Sequence, residues 1–128
     1  MKVEGPYKLH IIVRGATNLP VADFTTSDPY VVAYVGEKSV GQTKTIYRNH
    51  LRPIWEEVIE CNLLHTKNVL KFKIFDEDTG KDPDLLGCVE VSLDDLPVDE
   101  MVHDRYLVAL EGKYQQEDDA LLDLAIAV

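Results

Sequence analysis

The chain has 128 residues, 45% hydrophobic and 28% charged, enough to build one core and ordinary for a globular domain. Its formal net charge of −10 weighs against non-specific nucleic-acid binding, which needs a basic surface, and equally against constitutive attraction to anionic lipid. No apolar run is long enough to span a bilayer, and the opening Met1–Pro6 lacks the apolar stretch of a signal peptide, so a cytoplasmic location is expected.

Strand signals follow one another along the chain. Leu9, Ile11 and Val13 alternate on one side of an opening strand that ends before Gly15 and the turn-rich Asn18-Leu19-Pro20. Pro29 to Val35 is a β-branched and aromatic run closed by Gly36. Thr43 to Tyr47 reads as a shorter polar strand, and Ile54 to Asn62 as another with Trp55 as a core anchor. In Val69 to Phe75, apolar Leu70, Phe72 and Ile74 alternate with Lys71 and Lys73, the pattern of a half-buried strand. Gly87 to Val91 follows, then one helical turn at Ser92–Leu96 stopped by Pro97. Arg105 to Leu110 and Leu121 to Val128 complete the set, with a polar region between them from Glu111 to Asp119. Eight short strands separated by turns point to an all-β fold, an antiparallel sandwich of two four-stranded sheets formed by residues 1–128 as a single domain.

Acidic residues crowd two of the turns, Asp23-Phe24-Thr25-Thr26-Ser27-Asp28 and Asp76-Glu77-Asp78-Thr79-Gly80-Lys81-Asp82-Pro83-Asp84. Two carboxylates 4 Å apart repel by about 4 kcal/mol at an effective dielectric of ~20. A hard cation with oxygen ligands, calcium first, would turn that repulsion into binding. An EF-hand is excluded, although Asp76-x-Asp78-x-Gly80 begins like one. Its sixth and twelfth positions would be Lys81 and Gly87 instead of Gly and Glu, and no amphipathic helices flank it.

Other chemistries find little support. Cys61 and Cys88 have no metal-ligand spacing and read as reduced, largely buried thiols. His10, His50, His65 and His103 are scattered. No nucleophile–base order, phosphate-binding loop or dinucleotide fingerprint is present, so no enzymatic activity is expected. Lys71, Lys73, Arg48 and Arg52 read as a modest, solvated basic strip.

Several motifs in order resemble the C2 domain family. Asn18-Leu19-Pro20-Val21-Ala22-Asp23 followed by Ser27-Asp28-Pro29-Tyr30-Val31 resembles its first loop and second strand. Thr43-Lys44-Thr45-Ile46 and Leu51-Arg52-Pro53-Ile54-Trp55-Glu56-Glu57 are similar to its T-K-T and N-P-x-W-N-E segments. Phe75-Asp76-Glu77-Asp78, with Asp84-Leu85-Leu86-Gly87, resembles its third loop. The opening and closing strands resemble the circularly permuted, type II topology.

The resemblance implies calcium ligands at Asp23, Asp28, Asp76, Asp78 and Asp84, holding two or three Ca²⁺ ions in a cup between the first and third loops. Glu77 and Asp82 would be bystanders. Two ions would bring the five carboxylates to about −1 around an open coordination site, which favours anionic headgroups. The implied function is calcium-dependent binding to anionic, phosphatidylserine-like membranes by a monomeric recruitment module that becomes peripheral when calcium binds. Phe24, Thr79, Gly80 and Lys81 would meet the membrane, Phe24 either by insertion or by packing back on the domain. The alternative is a protein–protein interaction module on the same fold.

The chain departs from the family pattern in three ways. Asp23 and Asp28 are five apart, one shorter than in many relatives. Thr79 and Gly80 give the third loop no large apolar tip, so insertion would be shallow. Val32, Val40, Gly41 and Gln42 around Lys44 leave the family's lysine cluster poorly represented, and no dedicated phosphoinositide site is expected there.

Overall fold

A computed structural model describes residues 6–21, 27–78, 80–114 and 116–128. The strands are β1 (Tyr7–Thr17), β2 (Pro29–Val35), β3 (Lys38–Gln42), β4 (Ile54–Leu63), β5 (Val69–Asp76), β6 (Asp84–Ser92), β7 (Met101–Leu107), β8 (Ala109–Leu110) and β9 (Leu121–Ala127). They form two antiparallel sheets in the orders β4-β1-β9-β7 and β3-β2-β5-β6-β8. The only helical element among the described residues is the short 3₁₀ turn Leu93–Asp95, where the sequence predicts one helical turn. The closing strand lies beside the opening one, as the permuted order requires.

Alternation explains how the sheets face each other. Leu9, Ile11 and Val13 from β1 and Leu70, Phe72 and Ile74 from β5 are fully buried, and they meet Leu122, Leu124 and Ile126 of β9 in one core. Trp55 joins them at 7% exposure, the anchor role expected of it. Cys61 and Cys88 are free thiols, as expected, but half-buried instead of largely buried.

Two elements differ from the sequence expectation. The third strand is Lys38–Gln42, not Thr43–Tyr47. Gly36, at φ 60°, lets the chain reverse directly after β2, so Val35 faces Lys38 and Val32 faces Gln42. Thr43 instead follows β2 through separate bonds: its N–H donates to the Val31 carbonyl at 2.9 Å, and its Oγ1 accepts the Val31 N–H at 3.0 Å.

The expected Arg105–Leu110 strand is two strands in different sheets. β7 ends at Leu107, buried Val108 crosses the core edge, and Ala109 pairs with Cys88 of the other sheet. That short β8 makes the second sheet five-stranded instead of four.

The registers bring the strand ends that flank the connections 18–28, 43–53, 77–83 and 111–120 to one end of the sandwich. Thr17 faces Leu121, Gly15 faces Ile54, Pro29 faces Asp76, and Asp76 faces Asp84.

Candidate metal centre

The acidic residues are positioned by the ends of three neighbouring strands. Asp28 precedes β2, Asp76 closes β5 and Asp84 opens β6; because Pro29 and Asp84 both pair with Asp76, the three carboxylates share one sheet end. Asp76 is fully buried at its strand end. Its Oδ1 accepts the Asp28 backbone N–H at 2.7 Å. Asp28 Oδ1 in turn accepts the Arg48 N–H at 2.6 Å, and the Glu77 N–H donates to the Asp28 carbonyl at 2.9 Å. Charge-assisted bonds to backbone N–H groups orient each carboxylate without neutralising it.

Segment 48–53 closes the rear of the centre. Asn49 N–H donates to the Ser27 carbonyl at 3.1 Å, and Leu19 N–H donates to the His50 carbonyl at 2.8 Å. Buried Ser27 donates its hydroxyl to the Pro20 carbonyl at 2.8 Å. Arg48 reaches its place with φ 55°, a conformation that side-chain-bearing residues rarely adopt. These bonds set the position of Asp28 from behind.

In the third loop, the Lys81 N–H donates to the Asp78 carbonyl at 3.2 Å, and Gly80 takes the left-handed φ of 80°. Asp78, Lys81, Glu77, Tyr30 and Thr45 face a common shallow recess. Asp82 is exposed. The Tyr47 hydroxyl donates to Glu77 Oε2 at 3.3 Å, and the Glu77 charge raises the phenol's pKa. The Glu77 carboxylate is thus bonded to Tyr47 while its backbone N–H bonds the Asp28 carbonyl.

Lys113 and Tyr114 of the 111–120 connection are neighbours that sequence reasoning missed. Lys113 Nζ lies 3.4 Å from Asp84 Oδ1 and 5.2 Å from the Tyr114 ring centre. Burial first, then the field of Asp84 and more weakly Asp76, raises the Tyr114 pKa, while Lys113 opposes them. The polar composition of 111–119 carried no signal of this approach.

Of the expected ligands, Asp28, Asp76 and Asp84 are brought to one sheet end, and Asp78 sits two residues beyond it. Asp23 lies outside the described residues, as do Phe24 and Thr79. Among the described residues, no group of three or more His, Cys, Asp or Glu side chains is close enough to form a metal site. The donors that are present are all carboxylate oxygens with backbone carbonyls nearby, the hard set that suits calcium and disfavours thiophilic metals. By donor chemistry the residues fit the ion.

The family model described as C2 domain matches residues 7–108. The chain is 32% identical over 123 residues to Multiple C2 and transmembrane domain-containing protein 1 of Mus musculus, covering 95% of this chain and 13% of that protein. It superimposes on a C2 domain of plant Extended Synaptotagmin 1 with a TM-score of 0.83 at 20% identity, covering 98% of this chain and 95% of that one. A calcium-bound structure of two C2 domains of Extended-Synaptotagmin 2 matches with a TM-score of 0.80 at 25% identity, over 98% of this chain and 46% of that one.

Proposed function

The chain belongs to the C2 domain family, and from that premise we propose that residues 1–128 form one calcium-dependent module for docking on anionic phospholipid membranes. The observation that carries this reading is the gathering of Asp28, Asp76 and Asp84 at one sheet end, with Asp76 fully buried and held by the Asp28 N–H. Carboxylates gathered at one sheet end present the hard oxygen donors that calcium takes.

Asp23, Asp28, Asp76, Asp78 and Asp84 are the proposed ligands for two or three Ca²⁺ ions. Bound calcium would supply positive charge and open coordination positions for lipid phosphate oxygens. The protein's part is to hold the carboxylates in place: strand register sets Asp76 and Asp84, and segment 48–53 sets Asp28. Phe24, Thr79, Gly80 and Lys81 are the proposed membrane contacts; of these, Gly80 and Lys81 are exposed on the third loop. The module is read as a non-enzymatic monomer that becomes a peripheral membrane protein when calcium is present. The family match and the calcium-bound relative support this reading.

Sedimentation with vesicles of phosphatidylcholine, with and without phosphatidylserine, across a calcium titration tests the proposal. Calcium-dependent pelleting with phosphatidylserine alone is expected; equal pelleting with calcium and with chelator would overturn it.

A second reading, protein interaction, is favoured by one observation. β4 is a sheet edge whose outer face leaves Ile54 and Val58 more than half exposed. A partner that co-purifies with the chain and is lost on Val58→Glu would favour this reading.

A further inference from the structure

The outer face of the β4-β1-β9-β7 sheet carries a recess of about 430 Å³ at the same end as the acidic loops. Three of the chain's four arginines line it: Arg14 from β1, Arg52 from the segment before β4, and Arg105 from β7. The carboxylates facing it, Glu56 and Asp123, have other partners. Arg14 Nε donates to Glu56 Oε1 at 3.1 Å, and Asp123 Oδ1 lies 2.6 Å from His103 Nε2. Among the described residues, the Arg52 and Arg105 guanidinium groups make no ion pair. In a chain of net charge −10, two such guanidiniums sharing one recess make a local positive site.

The recess is shaped by the backbone. The β1–β4 register breaks between Val13 and Gly15, and Glu56 opposite adopts φ 48°, which aims its carboxylate at Arg14. Gly15 permits the close approach, since a Cβ there would stand 2.7 Å from the Pro53 carbonyl oxygen. The planar fork of arginine suits phosphate oxygens better than it suits a single point charge. Ile54, 63% exposed, lines the recess and gives it an apolar lip, while Leu51, 60% exposed, precedes Arg52 and lines the neighbouring recess beside Leu19 and His50. The same segment bonds to the acidic centre through Arg48 and Asn49.

We propose that this recess binds the phosphate of an anionic lipid headgroup, with Arg52 and Arg105 as its ligands and Leu51 and Ile54 against the membrane interface. The apolar lip and the shared sandwich end favour a lipid over a phosphorylated peptide. The choice of a membrane source rests on the docking function proposed above, but the recess itself needs no calcium.

The test is an NMR titration of the ¹⁵N-labelled chain in chelator with three probes: a short-chain phosphatidylinositol monophosphate, inorganic phosphate and a phosphoserine peptide. The lipid should shift Gly15, Ala16, Arg52 and Arg105, and bind more tightly than inorganic phosphate. Arg52→Gln/Arg105→Gln should weaken it by about tenfold or more, and the double lysine variant by less. Lipid-induced shifts confined to other residues, or an unweakened double Gln variant with native melting, would overturn the proposal. So would a peptide that shifts the recess when the lipid does not. The same variant in the calcium-dependent sedimentation separates the two readings. If the recess is silent while sedimentation persists, the recess fails alone; if sedimentation fails while the recess shifts, docking through calcium fails alone.

Discussion

Asp76 Oδ1 accepts the backbone N–H of Asp28 at 2.7 Å, so the carboxylate closing β5 fixes the residue that opens β2. One carboxylate thereby has two jobs, anchoring a neighbouring strand and contributing charge to the cluster. Asp76→Asn separates them, because the amide oxygen still accepts from Asp28 but the charge is gone. In chelator the variant should melt close to wild type, because the Asp28 N–H keeps its acceptor. In calcium the two should separate: wild type gains about 2.7 kcal/mol at a calcium concentration 100-fold above its Kd, and the variant gains little. Thermal melts with calcium and with chelator read both effects. A variant stabilised by calcium as strongly as wild type would contradict the ligand role.

Lys113 makes the opposite contribution, placing a cation 3.4 Å from Asp84 Oδ1 where calcium is proposed to bind. The ammonium is largely exposed and Asp84 half-buried, so solvent screens the pair and it adds little to the fold. Removing the ammonium should leave stability almost unchanged while tightening calcium binding about two- to threefold, because one competing positive charge is lost. Lys113→Ala and Lys113→Glu in titration calorimetry should show increasing affinity in that order. Weaker binding in both would place the ion away from Asp84.

Local pattern makes some of this legible in the sequence and leaves the rest hidden. Leu70, Phe72 and Ile74 announce β5 because alternation is a property of the strand itself. β3 is hidden because Lys38 and Ser39 are polar, and its pairing depends on the turn at Gly36. The β7–β8 split is invisible, since a continuous strand signal does not reveal that Val108 passes from one sheet to the other. The acidic turns are visible because their residues are adjacent in the chain. Arg14, Arg52 and Arg105 come from three distant segments, and only the sheet register brings them to one recess. Composition alone groups Arg52 with Lys71 and Lys73, which the fold places elsewhere: Lys71 pairs with Glu90 at 3.2 Å, and Lys73 lies 5.0 Å from the Tyr34 ring centre.

The sheet crossing can be tested through Gly87. A Cβ there would stand 2.7 Å from both the Ala109 carbonyl oxygen and Val108 Cγ1, and the carbonyl belongs to backbone that cannot yield cheaply. Gly87→Ala should cost about 1–3 kcal/mol through overpacking at the β6–β8 junction. Gly112→Ala is the control, with nothing within 4 Å of its Cβ, and should be near neutral. Urea denaturation should show a lower midpoint for the first variant with an unchanged slope. Equal midpoints for the two variants would mean that β8 does not pack on Gly87.

Burial pushes the Cys61 thiol pKa up, and the Lys38 ammonium across the β3–β4 recess opposes it. Because the folded value is raised, the neutral thiol is the form the fold favours. Its contribution to stability is fully present below the unfolded thiol value and is lost as pH rises through the folded one. In a Cys88→Ala background, alkylation of Cys61 by iodoacetamide should therefore reach half its limiting rate at a pH above that of a free thiol. Lys38→Met removes the one charge that favours the thiolate, so it should move that midpoint higher still. Unfolding the chain in urea should return both proteins to the same ordinary midpoint, because burial and the Lys38 field vanish together. A midpoint below the free-thiol value in the folded chain would show that Lys38 outweighs burial, and a Lys38→Met variant with no shift would remove Lys38 from the balance.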